Sequence, residues 1–207
     1  MTRVKICGIT NLEDALASVE AGADALGFVL AEEGKARKRY ISLHDAIDII
    51  EQLPPFVTTV AVTVNAPIEK LVQYLTFFDM VQLHGDEPPH HVPVGHLAIK
   101  AFRAGPDFKV TDMEDHVVRA WLLDAYVPDQ RGGTGTVCDW DVAQMAASLS
   151  RPLILAGGLT PDNVGEAVFR VKPFGVDVSG GVEAEPGKKD HELIRQFIEN
   201  AKYPPLA

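Results

Sequence analysis

Two side chains that can carry protons each stand at the end of an apolar, strand-like stretch: Cys7 and Asp124. A cysteine thiolate can act as a base or as a nucleophile, and a buried carboxyl group that stays protonated can donate a proton near neutral pH. Lys5 shares the strand parity of Cys7, so its ammonium should lie nearby and lower the thiol pKa. Structural roles stay open, because Cys7 could be a small buried side chain and Asp124 a helix cap or a partner of Arg131.

Small residues follow two further strand-like stretches near the end of the chain. Gly157 and Gly158 follow one stretch, and Ser179 and Gly180 follow the next. Glycines let the backbone approach an anion closely, and the N–H groups at the start of a helix bind phosphate. Either group alone could be a tight turn. On neighbouring strands, the four residues together predict a phosphate-binding site.

Other polar residues also follow strand-like stretches. Arg39 closes a basic segment, residues 35–39, in an acidic chain. Its guanidinium could bind a substrate carboxylate through two N–H groups. Gln82 and His84 end another strand, and His84 could be a proton carrier or a structural histidine. His90 and His91 lack fitting partners for zinc, so the sequence predicts no metal site.

These residues can meet only if parallel strands carry them to one edge. Strand patterns occur eight times, at residues 4–7, 25–29, 58–64, 80–83, 98–102, 120–123, 152–156 and 176–178. Helical patterns alternate with them, although three prolines crowd the start of the helix after the fourth strand. The alternation predicts an α/β fold, a single-domain (β/α)8 TIM barrel over residues 1–207, with its active site at the C-terminal strand ends. A doubly wound open sheet is the alternative, but no glycine fingerprint follows the first strand.

Turn and cap residues support several of these elements. Thr10 and Glu13 have the spacing of a capping box, and Gly22 should end that helix. Thr160 is expected to cap a later helix, with Pro161 in its first turn. The sequence therefore predicts helices directly after the first and the seventh strand.

Composition limits the classes of partner. The chain has 207 residues, a net charge of -10 and a pI near 5.1, which disfavours nucleic acid and anionic membranes as partners. No apolar run approaches the length of a membrane span, and two cysteines are too few for a secreted disulfide scaffold. We therefore expect a cytoplasmic protein that acts on a small phosphorylated molecule. A barrel of this length can stand alone, so the expected state is a monomer or a homodimer.

Longer motifs run in order through nearly the whole chain. They occupy residues 4–10, 22–24 with 27–29, 39–42, 81–87, 123–124 with 132–135, 139–140, 155–159 with 161–164, and 176–179 with 181–183 and 186–190. The stretches Lys5-Ile6-Cys7-Gly8 and Gln82-Leu83-His84-Gly85 are specific in combination. In these motifs the chain resembles the phosphoribosylanthranilate isomerase family of tryptophan biosynthesis.

The resemblance implies a (β/α)8 barrel and an Amadori rearrangement of N-(5-phosphoribosyl)anthranilate, without a cofactor or metal. In the family's scheme, the aspartate that falls on Asp124 protonates the ribose ring oxygen and opens the ring to a Schiff base. The cysteine that falls on Cys7 then removes the proton from C2, and the enolamine relaxes to the ketone. Arg39 matches the arginine that meets the anthranilate carboxylate. The remaining expected substrate contacts are Gln82, His84 and Asp177.

Three positions depart from the family pattern. Gly180 stands where a second serine is usual, so one hydroxyl to the phosphate would be lost. The loop before Arg39 looks longer than usual and lacks the common serine near that arginine. Cys138 replaces a common aromatic residue, which should affect packing only. We expect intact chemistry with weaker substrate binding.

Two other functions fit parts of the pattern. One is an isomerase or epimerase that acts on a sugar phosphate without an anthranilate ring, and it would be indifferent to the replacement of Arg39. The other is a catalytically silent barrel that sequesters a phosphorylated metabolite. Such a protein would tolerate the loss of Cys7 and Asp124, and the presence of both residues argues against it.

Overall fold

The computed structural model describes residues 1–93, 97–125 and 138–204. Eight parallel strands pair in chain order and close into a barrel, with β1 hydrogen-bonded to both β2 and β8. They are β1 Arg3–Cys7, β2 Ala25–Val29, β3 Thr58–Thr63, β4 Met80–Leu83, β5 Ala98–Ala104, β6 Ala120–Ala125, β7 Leu153–Leu155 and β8 Gly175–Val178. The TIM-barrel prediction is confirmed, and the open sheet is excluded. Arg131 and the glycine-containing stretch 132–135 lie outside the described residues.

Six α-helices surround the barrel in the described ranges: α1 Leu12–Glu20, α2 Leu43–Ile50, α3 Ile68–Tyr74, α4 Trp140–Ala147, α5 Pro161–Val171 and α6 His191–Lys202. The prediction of a helix after every strand is wrong at two places. In the described residues between β4 and β5 no α-helix forms, and the short 3-10 helix Pro89–His91 stands in its place, because prolines lack the N–H group that an α-helix needs. After β5 the chain forms the 3-10 helix Val110–Asp115.

The structure confirms one of the two predicted helix caps and contradicts the other. The predicted capping box of Thr10 and Glu13 is wrong, because Asn11 caps α1 by accepting from the Asp14 N–H. Thr10 instead donates its hydroxyl to the carbonyl of Gly187 at 2.8 Å. Thr160 does cap α5, and its N–H donates to the side chain of Asn163 at the third helical position.

A short hairpin follows β8 and returns to the mouth of the barrel. The 3-10 helix Gly180–Val182 leads into β9 Glu183–Glu185, which pairs antiparallel with β10 Lys188–Lys189. The hairpin brings Gly187 against the loop after β2, where an added Cβ would lie 2.0 Å from the carbonyl oxygen of Lys38. The hairpin therefore packs against the loop that carries Arg39.

Side chains alternate between two apolar layers along each strand. Val4 and Ile6 pack in the large cluster between strands and helices, whereas residues such as Ile99 and Leu122 fill the barrel interior. Lys5 therefore points inward with Cys7, as predicted from strand parity. Among the described helices, none is long and apolar enough to cross a membrane.

Candidate active site

A cavity of about 630 Å³ opens at the C-terminal ends of the strands, where the barrel fold places active sites. All ten residues that the sequence singled out line it: Cys7, Arg39, Gln82, His84, Asp124, Gly157, Gly158, Asp177, Ser179 and Gly180. They come from six different strand ends, because parallel strands deliver their C-terminal residues to one face. Apolar side chains of Val29, Val62 and Leu159 complete the wall.

Cys7 lies at the barrel mouth beside a buried lysine. Lys5 Nζ donates to Asp177 Oδ1 at 2.8 Å, and its ammonium also interacts electrostatically with Cys7. Burial disfavours the ammonium, but Asp177 and Cys7 together outweigh this effect and raise the pKa of Lys5. Burial also raises the pKa of the Cys7 thiol, and Lys5 opposes this only in part. The prediction of a lowered thiol pKa is therefore wrong.

Asp124 sits on the other side of the cavity, next to a histidine whose orientation is fixed. Its Oδ1 accepts the N–H of Ala125 at 2.8 Å, and its Oδ2 lies 3.3 Å from His84 Nε2. Gln82 Nε2 donates to His84 Nδ1 at 2.9 Å, so the ring proton lies on Nε2. This Nε2 makes no hydrogen bond within the described chain, although it lies within ion-pair distance of Asp124. The buried Oε1 of Gln82 has no protein partner in the described chain, which leaves an acceptor for a ligand hydroxyl.

The loops after β7 and β8 supply unpaired donors at one end of the cavity. Gly157 has φ +84°, and a Cβ there would lie 2.4 Å from the N atom of Ala125, so only glycine fits. In the ranges that the structure describes, the N–H groups of Gly158 and Gly180 have no acceptor, and the Oγ of Ser179 is buried without a partner. Unpaired N–H and O–H donors grouped in this way can bind an anion.

Arg39 lies in the cavity wall, where it pairs with a residue that the sequence analysis gave no role. Its Nε and Nη2 donate to the two carboxylate oxygens of Glu183 at 2.8 and 2.7 Å. Lys189 Nζ donates to the same carboxylate at 3.0 Å. The motif 181–190 contains both partners, but nothing in the sequence shows that they reach Arg39.

Comparisons with known proteins agree along the whole chain. The family model of N-(5'phosphoribosyl)anthranilate (PRA) isomerase matches residues 4–200. The chain belongs to the PRA isomerase family. An N-(5'-phosphoribosyl)anthranilate isomerase of Geobacter sulfurreducens is 53% identical over 98% of this chain and 99% of its own length.

Solved PRA isomerases share the fold. One, in complex with reduced 1-(o-carboxyphenylamino)-1-deoxyribulose 5-phosphate, is 45% identical with a TM-score of 0.82, and the match covers 98% of this chain and 99% of that one. Another is described as monomers generated from the dimeric enzyme of Thermotoga maritima. It is 44% identical with a TM-score of 0.82, over the same shares of the two chains.

The structure shows the surroundings of two residues that depart from the PRA isomerase pattern. A Cβ at Gly180 would lie 2.8 Å from Arg39 Nη2, so this glycine gives the guanidinium room. Cys138 is buried, and burial raises its pKa to about 12, which makes it an unreactive packing residue. In the described part of the chain, no three acidic, histidine or cysteine side chains converge to hold a metal ion.

Proposed function

We propose that this chain isomerises N-(5'-phosphoribosyl)anthranilate to 1-(2-carboxyphenylamino)-1-deoxyribulose 5-phosphate, a step of L-tryptophan biosynthesis. The observation that carries the proposal is the convergence of an acid, a base, a carboxylate-binding arginine and a phosphate site in one cavity. Family membership over the whole chain and the relative with bound reduced product support it.

The two ends of the cavity would orient the substrate. The N–H groups of Gly158 and Gly180, with the hydroxyl of Ser179, would bind the phosphate. Arg39 would meet the anthranilate carboxylate, and the apolar wall would contact the ring. The ribose would then lie between Cys7 and Asp124, within reach of both.

Asp124 would act first, as the general acid. It would protonate the ribose ring oxygen, so that the bond from this oxygen to C1 breaks and a protonated Schiff base forms. The Nε2–H of His84, 3.3 Å from Asp124 Oδ2, would then stabilise the carboxylate that remains. Gln82 holds the ring in this tautomer, and its free oxygen would accept a sugar hydroxyl.

Cys7 would act second, as the general base. Its thiolate would take the proton from C2, and the electron pair of that bond would flow to the iminium nitrogen to give the enolamine. Tautomerisation of the enolamine gives the ketone. Lys5 favours the thiolate, and the positive Schiff base would add to this effect and offset the burial that raises the pKa of Cys7. Asp177 would keep Lys5 in place and contact the substrate.

The decay of anthranilate fluorescence on freshly generated phosphoribosylanthranilate tests the proposal. Wild type should consume the substrate in the presence of EDTA, because no step uses a metal or another cofactor. Cys7→Ala and Asp124→Asn should each lose nearly all activity while they still bind reduced product. Two active variants would refute the assigned roles, and an inactive wild type that binds the product would indicate a silent barrel.

We also propose that residues 1–207 form one domain that works in the cytoplasm on a small phosphorylated substrate. Both cysteines are free thiols, which suits a reducing compartment. Either a monomer or a homodimer fits the chain, and the dimeric relative from Thermotoga maritima favours the homodimer. Light scattering on the purified protein distinguishes the two states.

A further inference from the structure

The guanidinium of Arg39 is held along one edge by a buried carboxylate. Nε and Nη2 both donate to Glu183, and the two side chains are only 11% and 5% exposed. A planar fork that meets a carboxylate with two parallel N–H groups has a fixed orientation. In the described chain, Nη1 has no partner, so the other edge of the guanidinium is free on a residue that lines the cavity.

Glu183 is itself held by the hairpin of β9 and β10. Lys189 is its cross-strand partner in the register, and Lys189 Nζ donates to Glu183 Oε1 at 3.0 Å and to the carbonyl of Ser179 at 3.1 Å. The N–H of Lys189 donates to Asp14 Oδ2 of α1 at 2.9 Å. The carboxylate that meets Arg39 is therefore fixed by backbone pairing and not by a flexible surface contact.

The charges of this cluster suit a monoanionic ligand group. Burial works against the carboxylate of Glu183, but Arg39 and Lys189 overcome this effect and hold its pKa below the ordinary value. Burial lowers the pKa of Lys189, and Glu183 opposes this only in part. With Lys189 protonated, two cations and one anion leave one net positive charge among these three buried side chains. A ligand carboxylate would neutralise that charge, whereas Arg39 and Glu183 without Lys189 would already be neutral.

We propose that Glu183, held by Lys189, is a positioning residue that aims the free edge of Arg39 at the substrate's aromatic carboxylate and so selects carboxylated substrates. This inference rests on the proposed role of Arg39 in substrate binding. It predicts that Glu183 matters for the carboxylate of the ligand and not for its phosphate, which the glycine loops bind.

Two ligands separate these contributions. One is reduced 1-(o-carboxyphenylamino)-1-deoxyribulose 5-phosphate, and the other is the same compound without the carboxyl group. Dissociation constants are measured by calorimetry for wild type, Glu183→Gln, Arg39→Ala and the double variant, with thermal melting as the check on folding. Lys189→Met is the second probe, because it keeps the pair of Arg39 and Glu183 but removes the net positive charge.

Glu183→Gln should raise the dissociation constant of the carboxylated ligand about tenfold, because the bidentate charged contact that orients Arg39 is lost. The dissociation constant of the ligand without the carboxyl group should stay within about twofold of the wild-type value. The double variant should bind no more weakly than Arg39→Ala, because Glu183 acts through Arg39. Lys189→Met should also weaken the carboxylated ligand selectively.

Other results overturn the inference and separate it from the role of Arg39. If Arg39→Ala weakens only the carboxylated ligand while Glu183→Gln and Lys189→Met bind both ligands as wild type does, Arg39 keeps its role and the inference is wrong. If Arg39→Ala affects the two ligands equally, the role of Arg39 fails and the inference fails with it. Equal weakening of both ligands by Glu183→Gln would show a general structural role and would also overturn it.

Discussion

The reactivity of Cys7 depends on the balance between burial and nearby charges. Burial raises the thiol pKa, and Lys5 is the largest influence that lowers it. Sequence parity placed Lys5 beside Cys7, but it gave no measure of how thoroughly the barrel would exclude water from both. Desolvation is a property of the closed fold, so the direction of the shift could not be derived from the strand pattern alone.

Replacement of Lys5 by Met should move the pH profile of kcat/KM. The thiolate is the active form, so kcat/KM rises with pH through the thiol pKa, and loss of the ammonium raises this pKa further. We expect the rising limb to shift upward by about one pH unit, with about a tenfold loss at pH 7.5. Lys100→Met, at a buried lysine of β5 whose side chain faces away from the barrel interior and pairs with Glu87, is the matched control and should leave the limb in place. An unshifted limb in Lys5→Met would contradict the pairing of Lys5 with Cys7.

Gly180 offers a second test on a single residue. In Gly180→Ala, the new Cβ would lie 2.8 Å from Arg39 Nη2 and push the guanidinium from its place. We expect KM to rise about tenfold, which corresponds to ~1.4 kcal/mol and lies within the usual cost of overpacking. Gly180→Ser adds the same Cβ together with a hydroxyl for the phosphate, so its KM should lie below that of the alanine variant.

Steady-state kinetics on both variants at one pH gives the answer, with kcat as the internal control. A KM for Gly180→Ala equal to that of wild type would show that the contact with Arg39 does not limit binding. Equal KM values for the serine and alanine variants would show that the missing hydroxyl contributes nothing, against the expectation of weaker binding in this chain.

The segment after β4 shows how the chain is held where the described residues form no α-helix. Glu87 is buried and accepts the N–H groups of Asn65 and Gly85, while Lys100 Nζ donates to it at 2.9 Å. Burial works against the carboxylate, but Lys100 more than compensates and lowers the pKa of Glu87. The ion pair therefore fastens this connection to β5.

Lys100→Met should lower the free energy of unfolding by about 3 kcal/mol at pH 7, because it leaves a buried carboxylate without its cation. The deficit in the free energy of unfolding should narrow as pH falls below 4.5, the ordinary pKa of a glutamate, because wild type loses the stability of the pair between this value and the lower pKa of Glu87 in the folded state. The double variant Lys100→Met/Glu87→Gln should recover part of the loss. Denaturant unfolding at several pH values measures this, and a pH-independent deficit would contradict it.

Local signals predicted the elements well where one residue type decides the geometry. The apolar runs located all eight strands, and Thr160 with Pro161 located the start of α5. At α1, Thr10 and Asn11 both have capping side chains, and the tertiary contact of Thr10 with Gly187 decided between them. The hairpin of β9 and β10 is too short for a period-2 pattern, so the contact of Glu183 with Arg39 could not be foreseen.

At the scale of the whole molecule, barrel closure turns separate strand ends into one site. The rule that parallel strands converge at their C-terminal ends, together with the family resemblance that added Asp177, predicted ten residues that line the cavity. The same rule says nothing about which residues stand behind them, which is why Glu183 and Lys189 emerged only from the structure. Residues at the strand ends and in the loops after them line the cavity, and the ion pairs of Glu183 with Arg39 and Lys189 fix the orientation of one of these side chains.

The central claim is that Cys7 is the base that removes the C2 proton after Asp124 opens the ring. Substrate deuterated at ribose C2 tests it directly, by following deuterium release into water. Wild type should release the label with turnover and show a primary isotope effect on kcat/KM when proton removal limits the rate. Cys7→Ala and Asp124→Asn should release almost none, because one lacks the base and the other leaves the ring closed. Release from Cys7→Ala at the wild-type rate would contradict the account.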